Sequence, residues 1–292
     1  MKLSPERLGV IIALTAAACF ALANSITVVA YRGGSNPLTV TGTRFILPTL
    51  LLIIILRAGG ISLILPRATG LAALALGVLT AFYSFSLLMA IDRLGVPVAI
   101  LVFYLFPILT GLIVALFGWG RLSVSAMISA VVCFAGLALV LGVGQESLPT
   151  DGLWLALFAA VGLAIVTAVS GRVIKGCDPR QATLYMAAGA LLSMIVIGLV
   201  VGGFRLPETE AGWIGFGATH LFYAGAMISY FAAIARIGAA RTSLFSFLEP
   251  VVAISVAFLL LDQVLTPLQI LGAFVILGAL VAVGRAKVAE PN

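Results

Sequence analysis

Residues 8–31 read LGVIIALTAAACFALANSITVVAY, a run without a single charge. A helix rises about 1.5 Å per residue, so around 20 apolar residues cross the roughly 30 Å of hydrocarbon in a bilayer. This run is long enough, and it exceeds the roughly 7–15-residue core of a cleaved secretory signal. It is expected to stay attached as a first membrane helix. Working outward, the rest of the chain has the same character, with 63% of its 292 residues hydrophobic and 9% charged. A surface facing water wants about 25–35% charged residues, which excludes a soluble globular fold, and disorder needs low hydrophobicity.

Short clusters of charge, Gly and Pro separate nine further apolar runs. Ten spans are expected, at about Leu8–Tyr31, Leu38–Leu56, Thr69–Ile91, Pro97–Phe117, Ser123–Leu141, Gly152–Ile174, Arg180–Val201, Ala211–Ala235, Ala239–Leu261 and Pro267–Val283. Barrel strands alternate over about ten residues, and these runs do not. The fold class is all-α integral membrane with ten transmembrane helices. Pro97 and Pro267 fall at helix starts, where a missing N–H costs nothing.

The charges orient the chain. Lys2, Arg7, Arg57, Arg67, Arg121, Arg172, Lys175, Arg180, Arg236, Arg241, Arg285 and Lys287 lie on the N-terminal side, against Arg32, Arg93 and Arg205 on the other, with Arg44 inside a span. The positive-inside rule then puts both termini in the cytoplasm, N-in and C-in. The same dispersal explains the net charge of +6. It speaks against nucleic acid, which wants basic residues clustered on one face with aromatics between them. Cys19 and Cys133 fall in apolar runs and Cys177 in a short loop, so no disulfide framework or metal spacing is present.

The chain also repeats itself at an offset of about 143 residues. Ala90-Ile91-Asp92-Arg93-Leu94-Gly95 matches Ala233-Ile234-Ala235-Arg236-Ile237-Gly238. Pro107 matches Pro250, Gly9 matches Gly152, and Ala16-Ala17 matches Ala159-Ala160. Identities at one fixed offset from the first helix to the ninth need no insertion or deletion. Residues 1–145 form a first five-helix unit and 146–292 a second. Five spans is an odd number, so the second unit enters the membrane from the other side. Inverted repeats of this kind recur in alternating-access carriers, whose central site lies between the halves.

Several short patterns add to this. Asn36-Pro37-Leu38-Thr39 precedes Arg44-Phe45, and Leu94-Gly95-Val96-Pro97-Val98-Ala99 leads to Phe103-Tyr104-Leu105-Phe106-Pro107. In the second half, Phe247-Leu248-Glu249-Pro250 precedes Leu265-Thr266-Pro267-Leu268-Gln269 and Gly272. In order and spacing, over nearly the whole chain, these resemble the EamA family of the drug/metabolite transporter superfamily. The family usually carries a Gly-Glu-Arg-like triplet after helices four and nine. Here Gly118-Trp119-Gly120-Arg121 lacks the Glu and Leu261-Asp262-Gln263 lacks the Arg. The resemblance implies export or exchange of small metabolites, amino acids among them, without a nucleotide site or other cofactor.

Ionisable groups within spans are costly and so are functional candidates by default. His220, the only histidine, and Glu249 each lie about ten residues into their helices. Both should sit roughly 13–15 Å deep, near the midplane. They are expected to line a shared cavity, touching substrate, a coupling proton or both; the structural alternatives are a carboxylate tying down the Pro250 kink and a buried neutral imidazole. Arg44 either snorkels to the nearby interface or counters an anionic substrate group. Asn24, midway along the first helix, either joins helices or binds a ligand. Tyr83, Tyr104 and Tyr223, with Phe82, Phe103, Phe222 and Tyr230, could line an amphipathic pocket or simply pack a core. His220, Tyr223, Met227 and Tyr230 share a helix face. Trp119, Trp154 and Trp213, at span ends, read as interfacial anchors. Pro107 and Pro250 are expected to kink helices four and nine as hinges.

Enzyme motifs such as a P-loop, His-Glu-x-x-His or Gly-x-Ser-x-Gly are absent, and one histidine cannot build a histidine metal cluster. The expected activity is secondary transport of small metabolites, with aromatic ones among the candidates, across a bacterial-type inner membrane. A small-molecule substrate and the lipid bilayer are the partners; oligomeric state stays open. The competing readings are an intramembrane hydrolase using His220 with Ser229 or Ser243, and a scaffold or receptor that moves nothing.

Overall fold

The computed structural model describes residues 4–120, 124–142, 149–260 and 265–285. Helix is the only regular structure among the described residues. The first repeat holds α1 (Pro5–Arg32), α2 (Pro37–Thr43), α3 (Ile46–Ala58), α4 (Arg67–Leu94), α5 (Val96–Phe103), α6 (Phe106–Leu116) and α7 (Val124–Leu141). The second holds α8 (Thr150–Lys175), α9 (Pro179–Val201), α10 (Glu210–Ile237), α11 (Ala239–Phe245), α12 (Leu248–Leu260) and α13 (Pro267–Arg285). Among the described residues these make ten stretches long and apolar enough to cross a membrane, α2–α3, α5–α6 and α11–α12 each forming one. The protein is a multi-pass membrane protein. Leu116, Leu199 and Val200 are 81%, 77% and 80% exposed, which lipid tolerates and water would not. The expected span ends Ser123 and Leu261, the unit boundary at 145–146, the triplet residues Arg121, Asp262 and Gln263, and the terminal Lys2 and Lys287 lie outside the described residues.

Helix ends follow from local chemistry. Ser4, Asn36, Asp178 and Thr209 cap α1, α2, α9 and α10 by accepting a backbone N–H, and Pro5, Pro37 and Pro179 fill first positions. α4 and α10 both stop at a glycine with positive φ, 75° at Gly95 and 79° at Gly238, a conformation other residues seldom adopt.

Three spans are interrupted by prolines. A proline offers no N–H to the carbonyl four residues earlier and its ring collides with that carbonyl. Pro48 sits four residues after Arg44, Pro107 four after Phe103 and Pro250 four after Ser246. The helices part at Arg44–Phe45, Tyr104–Leu105 and Ser246–Phe247. The sequence reading had placed bends only in helices four and nine; Pro48 adds one in the second span.

The two repeats pack as a twofold pair. α1 lies along α10 as α8 lies along α4, while α6 meets α11 and α7 meets α13. One contact is made twice. A Cβ added at Gly9 would stand 2.9 Å from Arg236 Cβ, and one at Gly152 would stand 3.0 Å from Arg93 Cβ. Residues 143 apart that touch each other mark the axis: Tyr104 and Phe247 have ring centroids 5.6 Å apart, and Cys133 Sγ lies 3.9 Å from Ile276 O. Pro37 and Pro179, the first residues of α2 and α9, are 142 apart, and Ala58 and Val201, the last residues of α3 and α9, are 143 apart.

Arg93 pairs with Asp151 across α4 and α8. At the N-terminal end Arg241 reaches Glu6 at 2.5 Å and Gly284 O at 2.9 Å, tying α11 to α1 and capping α13.

The orientation is testable at Cys177, between α8 and α9. Burial first, and then the neighbouring Asp178 carboxylate, push its thiol pKa up, so little of it is thiolate near neutral pH. With the N-terminus inside, a membrane-permeant maleimide should label Cys177 in intact cells, several-fold faster per added pH unit, up to about tenfold. An impermeant maleimide should not. Labelling by the impermeant reagent from outside would reverse the topology.

Candidate functional site

The proline interruptions place polar groups where unbroken helices would present apolar ones. At the α2–α3 joint, Arg44 turns inward and does not run to the interface. Its Nη2 donates to Ser84 Oγ on α4 at 3.2 Å. Its guanidinium lies 4.5 Å from the centre of the Tyr223 ring on α10 and 5.5 Å from that of Phe45. Its buried Nε has no hydrogen-bond partner among the described residues.

Glu249 sits in the first turn of α12, just past the Ser246–Phe247 joint. Its Oε1 accepts from Asn24 Nδ2 on α1 at 2.7 Å. Tyr104, on the opposite joint, stands beside the Glu249 carboxyl. The Tyr104 hydroxyl is 3.4 Å from Ser246 O, the carbonyl that Pro250 leaves without its usual donor four residues on and that Glu249 N–H bonds instead at 2.9 Å. Glu249 and Arg44 are close enough for each charge to be felt by the other. Yet among the described residues neither has an ion-pair partner within 4.0 Å. Asn24 is exposed and Glu249 and Arg44 are half-buried although all three lie within spans, so open space adjoins them.

Rings wall this space. Phe20 and Phe45 meet Tyr223 edge-on at 5.6 and 5.5 Å, Phe20 meets Tyr230 at 6.1 Å, and Tyr83 faces Phe103 at 6.4 Å. Tyr230 OH lies 3.2 Å from Thr167 Oγ1. A carboxylate, a guanidinium and aromatic faces on one wall can hold a small solute with charged ends and an apolar body.

The pattern that defines the EamA-like transporter family matches residues 7–142 and again residues 150–285. The chain belongs to the EamA-like transporter family. Among curated relatives it is 28% identical over 201 residues to an uncharacterized transporter, YxxF, of Bacillus subtilis (strain 168), covering 67% of this chain and 62% of that protein. It is 24% identical over 233 residues to a probable terminal-alkyne amino-acid exporter of Streptantibioticus cattleyicolor, covering 79% of this chain and 78% of that protein. A solved crystal structure superposes with a TM-score of 0.79 over 96% of both chains at 21% identity, which shows a shared fold.

Within this EamA-like frame, the structure gathers Asn24, Arg44, Tyr83, Tyr104, Tyr223 and Glu249 at one place. It sets His220 apart from Glu249. Nδ1 of His220 meets Phe216 O at 2.7 Å and Nε2 meets Thr43 Oγ1 at 2.9 Å, so both ring nitrogens are engaged. Neither reaches Ser229 or Ser243, as an intramembrane hydrolase would need; Ser243 Oγ donates to Ala240 O at 2.9 Å. Phe20, Phe45 and Ser84 belong to the site and were not singled out by sequence. Pro48 was also passed over, though a proline inside an apolar run is the signal that marked Pro107 and Pro250.

Removing the Tyr104 hydroxyl deletes its contacts with Ser246 O and with the Glu249 carboxyl. Tyr104→Phe should cost about 0.5–1.5 kcal/mol, read as a lower melting temperature in detergent, with membrane insertion intact. An unchanged melting temperature would mean that Glu249 N alone satisfies Ser246 O and that the hydroxyl adds no stability there.

Proposed function

We propose that this EamA-like protein is a secondary active transporter that exports or exchanges small zwitterionic metabolites, amino acids or related amphipathic compounds, by alternating access. The carrying observation is that Arg44 and Glu249, opposite charges from the two repeats, lie within spans beside open space without pairing. A charge in hydrocarbon is costly and normally finds a counter-charge. Two that feel each other but stay apart leave the pairing to a ligand. A solute carboxylate fits the guanidinium, with the unpartnered Nε as an added donor, and an ammonium group fits Glu249 beside Asn24. The rings of Tyr223, Tyr83, Tyr104 and Phe20 suit an apolar, even aromatic, side chain between the charged ends. The amino-acid exporter among the curated relatives supports this substrate class.

Purified protein in liposomes should exchange labelled amino acids without any nucleotide. Arg44→Gln and Glu249→Gln should each cut the transport rate at subsaturating solute by tenfold or more, about 1.4 kcal/mol of lost recognition, with normal membrane yield. Wild-type rates in both variants would move the site elsewhere.

Pro107 and Pro250 act in this reading as the joints at which α5–α6 and α11–α12 bend between states. Replacing either with Ala restores a donor to the i−4 carbonyl and stiffens the joint. Exchange should slow several-fold while affinity changes little. Unaltered exchange in both variants would leave the prolines as packing features.

A further inference from the structure

Pro48 offers no N–H to the Arg44 carbonyl, though Arg44 N–H still bonds Val40 O at 3.1 Å and both residues of the joint keep helical φ and ψ. The backbone there leaves the direction of the long Arg44 side chain to be set by neighbouring helices. Thr43 is the residue next to it, and its Oγ1 lies 2.9 Å from His220 Nε2. The imidazole is fixed in turn. Its Nδ1 donates to Phe216 O at 2.7 Å, since a carbonyl can only accept, and its ring lies 4.2 Å from that of Phe216. One turn along the same helix face, Tyr223 lies under the Arg44 guanidinium. His220 and Tyr223 therefore grip consecutive residues of the joint, Thr43 and Arg44.

Thr43 Oγ1 is also 2.7 Å from Thr39 O, so its single proton serves either that carbonyl or His220 Nε2, and Thr39 Oγ1 donates to Asn36 Oδ1, the α2 cap, at 2.7 Å. The body of α2 packs on α9 and α4, and at its end Thr43 meets α10 through His220.

The other repeat supplies an internal control. By the matched starts at Pro37 and Pro179, the position of Arg44 corresponds to Met186 and that of Pro48 to Ala190, and α9 runs unbroken through both. The position of His220 corresponds to Gly77, which has no side chain and packs directly on the α9 backbone, where an added Cβ would stand 2.9 Å from Ala190 N. The half without a joint or a guanidinium also lacks the imidazole. Joint, cation and pin occur together, once.

We infer that His220 is a positioning residue: through Thr43 it fixes the helix joint so that Arg44 aims at the anionic group of the solute, without His220 itself touching that solute. This rests on the reading above in which Arg44 takes a carboxylate.

The test compares a zwitterionic amino acid with the matching amine that lacks the carboxylate, as competitors for labelled amino-acid exchange in liposomes. Thr43→Val keeps the shape and removes the hydroxyl; Thr43→Ser keeps the hydroxyl. Thr43→Val should weaken the zwitterion about three- to tenfold and leave the amine within about twofold, and Thr43→Ser should behave as wild type. His220→Gln, whose amide can still reach Thr43, should be milder than His220→Ala, and His220→Ala should add little to Thr43→Val. If Thr43→Val leaves the zwitterion unaffected, or weakens zwitterion and amine alike, the inference fails. If Arg44→Gln leaves the preference for zwitterion over amine intact, the underlying reading fails instead. Should Thr43→Val not insert, the His220→Gln and His220→Ala pair decides the same question.

Discussion

In hydrocarbon no water is available to a carbonyl that loses its helical donor, so a break in a membrane helix must find its hydrogen bond inside the protein. That constraint organises the centre of this molecule. Pro48, Pro107 and Pro250 open three breaks, and all three stand where the two repeats meet. At one of them the remedy is visible: Glu249 N–H turns to Ser246 O at 2.9 Å, and the Tyr104 hydroxyl, from the break in the other repeat, adds a contact at 3.4 Å. Polar side chains gather there because the backbone already needs polar company. Arg44 and Glu249 each lie within a few residues of a joint, and the ring-lined space adjoins both.

Away from the joints the scaffold is held by close contact. Lipid provides no hydrophobic drive between helices, so small residues that let backbones approach do that work. Gly9 against Arg236 and Gly152 against Arg93 make the same contact in both repeats, and Gly33 against Gly212 closes the α1–α10 pair. The framework is thus nearly twofold while the site is not. Symmetry governs how the helices pack, and its local failure supplies the chemistry.

Much of this could be read before any coordinates. Ten spans follow from hydropathy because length and apolarity are what a bilayer demands of a helix. The repeat was legible in the shared stretches ending at Gly95 and Gly238, where a positive-φ stop preserves both sequence and spacing. Arg44 and Glu249 stood out through the cost of charge in lipid. The direction each side chain faces did not, because counting along a helix gives depth but not rotation about its axis. His220 and Glu249 were flagged together by depth, yet the imidazole turns to Thr43 on α2 and the carboxyl to Asn24 on α1.

Tyr104 and Phe247 touch across the twofold axis, and one carries a hydroxyl where its mate carries none. The same inequality holds at Arg44 against Met186 and at Glu249 against Phe106. In a fully symmetric chamber, a molecule with unlike ends would fit equally well either way round, and half of its arrivals would leave each end in the other's place. For the zwitterion proposed above, the reversed pose would set like charge against like at both ends. On that reading, unequal residues on equal frames give the chamber a fixed head and tail, and its occupant would keep one heading through the exchange of shape between the halves.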